Sequence, residues 1–170
     1  RSSRKGTVIT AFDLIEETIG LSAERNSNLK VATEVGIGAI KYMILRQAAG
    51  GNIVFDKEKS LSLDGDSGPY LQYAHARATS VIEKAKGLGI AGDAKNAPEV
   101  PYAIERMVYR FPEIVLRATL GCEPHRVVSY LTELASAFNS FYAHERIADN
   151  SDEHAPYKVL LTDAVRLTLK

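Results

Sequence analysis

Between Ser67 and Arg77 the sequence reads S-G-P-Y-L-Q-Y-A-H-A-R. Pro69 stands where the first turn of a helix has no N–H to satisfy, and its fixed φ suits that position. From there Leu71, Ala74, Ala78, Val81, Ile82 and Ala85 recur at helical spacing, and Gly87 closes the run. The stretch predicts a helix over 69–86 with a buried aliphatic stripe. Beside that stripe Tyr70, Tyr73, Arg77 and Lys84 follow at steps of three, four and seven. Two rings and a guanidinium in one strip can widen the core, with hydroxyls in solvent and the arginine stem laid on apolar surface. Composition alone favours that packing; the same groups also suit an unpaired base, which stacks on planar rings while its phosphate pairs with the guanidinium. Periodicity leaves both readings open. His75 falls on the opposite edge of the stripe, where packing is at least as good an account.

Working outward, helices fill most of the chain. The run Thr7-Val8-Ile9 reads as extended, and Thr10 caps a helix with Asp13 three residues on. A longer helix is expected over 28–49, with Val31, Val35, Ala39, Tyr42 and Leu45 on one face and Gly50-Gly51 ending it. Gly36 and Gly38 inside it mark close packing against another element. Residues 52–56 read as a brief strand and 61–68 as a turn-rich domain boundary. Beyond lie helices over 98–110 (Ile104, Met107, Val108 and Phe111 inward), 112–120 and 123–147. In the last of these, Val127, Leu131, Leu134, Phe138 and Phe141 form the stripe. The final helix, 157–170, turns Leu160, Leu161, Ala164, Leu167 and Thr168 inward. It stops without a capping Gly, and Arg1 is not a Met, so both ends read as cuts in a longer chain. The fold expected is all-α: a helical bundle over 65–170, preceded over 1–64 by a mostly helical connector with one short strand.

Composition narrows the function classes. Twenty-one basic and 21 acidic residues balance, so any nucleic-acid surface must be local. No apolar run reaches the roughly 18–20 residues of a membrane span. The single Cys122 excludes an internal disulfide and fits a reducing compartment; beside Pro124 it reads as a small buried residue near a helix start. Gly87-Leu-Gly-Ile-Ala-Gly92 matches a dinucleotide-binding pattern by letter. It follows a charged helix end rather than a strand, so it reads as a loop. His75, His125, His144 and His154 lack metal-ligand spacing, and no metal is expected. No nucleophile elbow is present, and no complete active site is legible.

The run from Leu61 to Arg77 strongly resembles the entry to the anticodon-binding domain of arginyl-tRNA synthetases. Ser2-Ser-Arg-Lys-Gly6 is similar to the tail of that family's version of the class I K-M-S-K-S loop. Val35-Gly-Ile-Gly-Ala-Ile-Lys41 with Val54-Phe-Asp56 resembles its linking region, and Asp163-Ala-Val-Arg166 its D-A-L-R signature. The four motifs come in family order and span essentially the whole chain. The Lys-Met pair before the serines, the nucleotide-binding fold with its H-I-G-H motif, and the final C-terminal stretch are absent.

The resemblance implies the tRNA-binding C-terminal portion of a cytoplasmic class I ligase, which joins arginine to its tRNA through an ATP-derived adenylate. ATP and Mg would serve the intact enzyme, with Ser3, Arg4 and Lys5 meeting the triphosphate charge. The fragment alone would hold no cofactor and be inactive. By motif position the resemblance puts Tyr70 and Arg77 first at the anticodon loop, then Tyr73 and Gln72. Phe138 stands where some members use a ring, although its place on the apolar stripe favours the core. Two alternatives stand beside this reading: a helical module binding protein through its tyrosine strip, and the matching domain of a cysteine-specific synthetase. Salt separates the first, because RNA binding weakens steeply with salt through counterion release.

Overall fold

Short polar side chains set most of the helix starts. The computed structural model describes residues 10–170, and among them are seven helices and no strand. Thr10 and Asp13 form a reciprocal cap, each side chain accepting from the other's backbone N–H at 3.1 Å, at the head of α1 (Ala11–Arg25). The side-chain oxygen of Asn28 accepts from the N–H groups of Lys30 and Val31 to begin α2 (Leu29–Leu45). Asp56 caps the single turn α3 (Lys57–Ser60). Ser67 Oγ accepts from Tyr70 N–H at 3.1 Å and starts α4 (Gly68–Gly87), with Pro69 in its first turn. Then come α5 (Ala103–Gly121), α6 (His125–His144) and α7 (Ala155–Leu169). The Thr7–Ile9 run and Ser3, Arg4 and Lys5 lie outside the described residues.

Four expectations need correction. Residues 52–56 are irregular, not a strand, with Val54 74% exposed. A lone extended run has no neighbour to accept its N–H groups or donate to its carbonyls. The two helices expected either side of Phe111 are one, α5, running straight through Pro112. A proline inside a helix costs ~3 kcal/mol locally, but Ile104, Phe111, Ile114 and Ala118 stay in phase across it and pack inward together. That helix starts five residues later than Pro98 because Pro101 pushes Val100 away from helical backbone. Cys122 is exposed, not buried: with α5 running on to Gly121, it becomes the left-handed cap at φ 50°.

The fourth correction is instructive. In α7 the inward set is Ala155, Lys158, Val159, Leu161, Thr162 and Val165, while Leu167 is 59% exposed. Lys158 and Thr162 turn the buried face away from the one hydrophobicity alone selects. The Lys158 ammonium pairs with Glu145 and, at 2.8 Å, with Asp152; Thr162 Oγ1 donates to the Lys158 carbonyl at 2.8 Å. Burial pushes the Lys158 ammonium down, but its hydrogen bonds to Asp152 and Glu145 outweigh that and leave it raised. The same bond from Lys158 holds the Asp152 carboxyl below its ordinary value.

Helix α4 is central, packing on α2, α6 and α7, while α5 closes the far side against α6 and α7. Its inward residues Ala74, Ala78, Val81 and Ala85 meet Leu134, Phe138 and Phe141 of α6 and Val159, Leu161 and Val165 of α7. The start of α4 lies against α2 backbone to backbone: a Cβ on Gly68 would come 2.6 Å from the Gly38 carbonyl carbon. Gly36, likewise, admits Ile19 of α1. Tyr42, buried in α2, donates its hydroxyl to Asp66 at 2.7 Å and lies 2.8 Å from Thr132 Oγ1 of α6. Burial and the Asp66 hydrogen bond push that phenol up to about 12.

Gly68→Ala should lower stability by about 1–3 kcal/mol, the ordinary penalty of overpacking, read as a lower denaturant midpoint in chemical unfolding. Lys158→Met should cost about 3 kcal/mol, the lower end for breaking a buried pair, since both carboxylates keep some solvent. Asp152, with its folded pKa depressed, contributes stability above its unfolded value near 4 that is lost as pH falls through the folded one. Unfolding measured from pH 5 to pH 2 should therefore fall less steeply in Lys158→Met than in the parent.

Candidate nucleic-acid interface

Helical spacing puts Tyr73 and Arg77 one turn apart on the edge of α4 that faces α6. Because only alanines separate α4 from its neighbours there, Arg77 reaches across to α6. Its Nη1 donates to Asn139 Oδ1 at 2.5 Å and its Nη2 to the Tyr73 hydroxyl at 2.7 Å. The guanidinium carbon lies 4.5 Å from the Tyr73 ring centroid and 4.8 Å from that of Tyr142. A cation held by two rings at this distance gains from both quadrupoles. Behind it, Asn139 Nδ2 donates to the Tyr70 hydroxyl at 3.0 Å.

The clamp stands at one side of an open groove of about 900 Å³ between α4, the end of α6 and the loop after it. Tyr73, Arg77, Lys84, Tyr142 and Arg146 line it, together with Glu145 and Asp149. Both carboxylates are engaged. Glu145 pairs with Lys158, and Asp149 accepts from the Ser151 N–H and hydroxyl at 2.9 and 2.7 Å. Those Ser151 bonds hold the Asp149 carboxyl below its ordinary value. What faces a ligand is two rings, each 44% exposed, and three cations, of which Arg146 shares its charge with Asp149 4.0 Å away. That is an arrangement for an anion carrying flat groups.

The residues singled out in the sequence separate in the structure. Tyr73 and Arg77 come together in the groove. Tyr70 does not line it: its half-buried ring packs against the core and its hydroxyl supports Asn139. Gln72 turns the other way, its amide donating to the Glu34 carbonyl of α2 at 3.1 Å. Phe138 is 0% exposed and belongs to the core, so it offers no face for stacking. His75 packs with Nε2 buried and unpartnered, and burial holds its pKa down. Asn139, Tyr142 and Arg146 were not singled out, although a signal existed. Asn139 and Tyr142 sit three residues apart beside the apolar stripe of α6, the rule that selected Tyr70, Tyr73 and Arg77 on α4, and Arg146 follows just past the end of α6.

The chain is similar to known proteins in both sequence and fold. Residues 71–170 match the family described as the DALR anticodon binding domain. The chain is 37% identical to an arginine–tRNA ligase of Methanospirillum hungatei, across 99% of its own length and 32% of the relative's. It is 35% identical to that of Pyrococcus furiosus, across 99% of its own length and 30% of the relative's. The structure resembles Thermus thermophilus arginyl-tRNA synthetase with a TM-score of 0.80 and 27% identity, covering 98% of this chain and 31% of that one. The chain thus spans about a third of the length of the relatives it matches. With the family match extending over more than half of its residues, the chain belongs to the DALR anticodon-binding domain family, in the company of arginine–tRNA ligases.

Proposed function

We propose that these helices hold the unpaired anticodon loop of a tRNA in the groove between α4 and α6, as the RNA-reading part of a cytoplasmic, ATP-dependent arginine–tRNA ligase. The observation that carries this reading is the Arg77 guanidinium, fixed between Tyr73 and Tyr142 at the wall of a groove that also presents Lys84 and Arg146. Bases swung out of a loop stack on the exposed rings, while the phosphates between them meet the three cations. In the full-length protein, residues 1–64 serve as the tail of the catalytic domain and its connector, and 65–170 as the anticodon reader. Ser3, Arg4 and Lys5 then stand at ATP and its Mg, stabilising charge on the triphosphate. Tyr70 acts from behind the groove, and Gln72 ties α4 to α2.

The test is titration of this chain with an RNA hairpin bearing a seven-nucleotide arginine anticodon loop, over a range of salt. Affinity should fall steeply with salt. Tyr73→Ala and Tyr142→Ala should each cost about 1–3 kcal/mol of binding and leave the salt slope unchanged. Lys84→Ala should lower the slope by roughly one. Variants that bind as tightly as the parent at every salt concentration would remove the groove from the interface. Arginine-dependent ATP–pyrophosphate exchange should be absent from the 170-residue chain, whose described residues offer no second half of a nucleotide cradle.

A further inference from the structure

We infer that Asn139 is a positioning residue for RNA recognition: it holds Arg77 as a pre-oriented cation in the groove, and an uncharged amide is required there. This rests on the anticodon-loop reading above. Arg77 has five N–H donors and no acceptor, so the amide atom facing it must be Oδ1. Nδ2 is then turned onto Tyr70, whose hydroxyl accepts at 3.0 Å. Tyr70, half-buried and packed against the core, thereby fixes the amide, and the amide fixes the guanidinium. On the other side Tyr73 accepts from Nη2.

Two consequences follow. The ordering of a long arginine side chain, which would otherwise oppose binding, is complete before RNA arrives. The two engaged N–H groups leave Arg77 three donors along its edges (five minus two, among the described residues). It therefore presents hydrogen-bond donors only, and suits a phosphate oxygen or the acceptor edge of a base rather than an amino group. A carboxylate in place of the amide would keep the contact to Nη1 but cancel the charge. It would also oblige the Tyr70 hydroxyl to donate instead of accept.

Asn139→Asp and Asn139→Ala separate positioning from mere packing. Asn139→Asp is nearly isosteric and should melt no lower than the parent, since it adds a charge-assisted bond to Arg77. With the hairpin RNA it should bind roughly tenfold more weakly, with a salt slope lower by about one, because one cation is neutralised. Asn139→Ala should weaken binding while keeping the parent's salt slope, since Arg77 stays charged but unheld. A readout without RNA is the 15N side-chain spectrum of Arg77. Its Nη groups should rotate slowly in the parent and in Asn139→Asp, and fast in Asn139→Ala. The inference is overturned if both variants keep the parent's affinity and slope, or if Asn139→Ala leaves the Nη rotation unchanged. If the parent itself binds no hairpin, the anticodon-loop reading and the recognition role of Asn139 fail together, and the Nη spectra still decide whether Asn139 holds Arg77.

Discussion

At Ala74, Ala78 and Ala85 nothing larger than a methyl group separates α4 from the helices around it, and the rest of the molecule depends on that close approach. All three are fully buried. Small residues bring helix axes together, so the large side chains of α6 and α7, Phe138 and Leu134 above all, fill the core from the opposite side. At the head of α4 the same constraint becomes absolute, because Gly68 lies against the backbone of α2 where even a methyl group has no room. Helices α2 and α4 therefore meet through main chain. Tyr42 secures that junction through Asp66 and the neighbouring Thr132 of α6.

The groove is a consequence of this packing. An arginine on the edge of α4 can reach an asparagine on α6 only where the two helices lie close. Tyr73 and Tyr142, from different helices, can flank one guanidinium for the same reason. A wider spacing would leave Arg77 in solvent, sampling many rotamers and losing that freedom on binding. The aliphatic face thus does two jobs. It stabilises the bundle, and it sets the distance at which polar residues on its margin can cooperate.

How much of this could be read beforehand varies with the physics. The helix starts at Ala11, Leu29 and Gly68 were legible because Thr10, Asn28 and Ser67 with Pro69 have local roles that need no tertiary partner. The inward face of α4 was legible because its residues are uniformly small or aliphatic. Where tertiary contacts override local preference, the reading failed. Pro112 looks like a helix end until α6 and α7 are in place, and residues 52–56 look like a strand until no neighbour is found. Lys158 and Thr162 look like surface until Glu145, Asp152 and the Lys158 carbonyl satisfy them. The site was half visible. The α4 strip stood out beside its stripe, but motif position ranked Tyr70 ahead of Tyr73, whereas the fold turns Tyr70 toward the core and Tyr73 into the groove. The matching strip on α6 passed unnoticed because Phe138, its most conspicuous ring, is core.

Two cations in this bundle are drawn toward the protein interior, and their different treatment distinguishes structure from function. Lys158 is buried and fully committed: its ammonium meets two carboxylates and a ring, Tyr102, at 5.9 Å. The charge is cancelled, which is what makes its burial tolerable. Arg77 is held as firmly, but by neutral groups, an amide, a phenol and two aromatic faces. None of these cancels its charge, and the two carboxylates lining the groove answer other cations, Glu145 pairing with Lys158 and Asp149 lying 4.0 Å from Arg146. A protein seeking only stability would place a carboxylate beside Arg77, as it does beside Lys158. Holding the cation still while leaving its charge unanswered keeps its attraction available for an anion from outside, and that is the physical case for reading this groove as the binding surface.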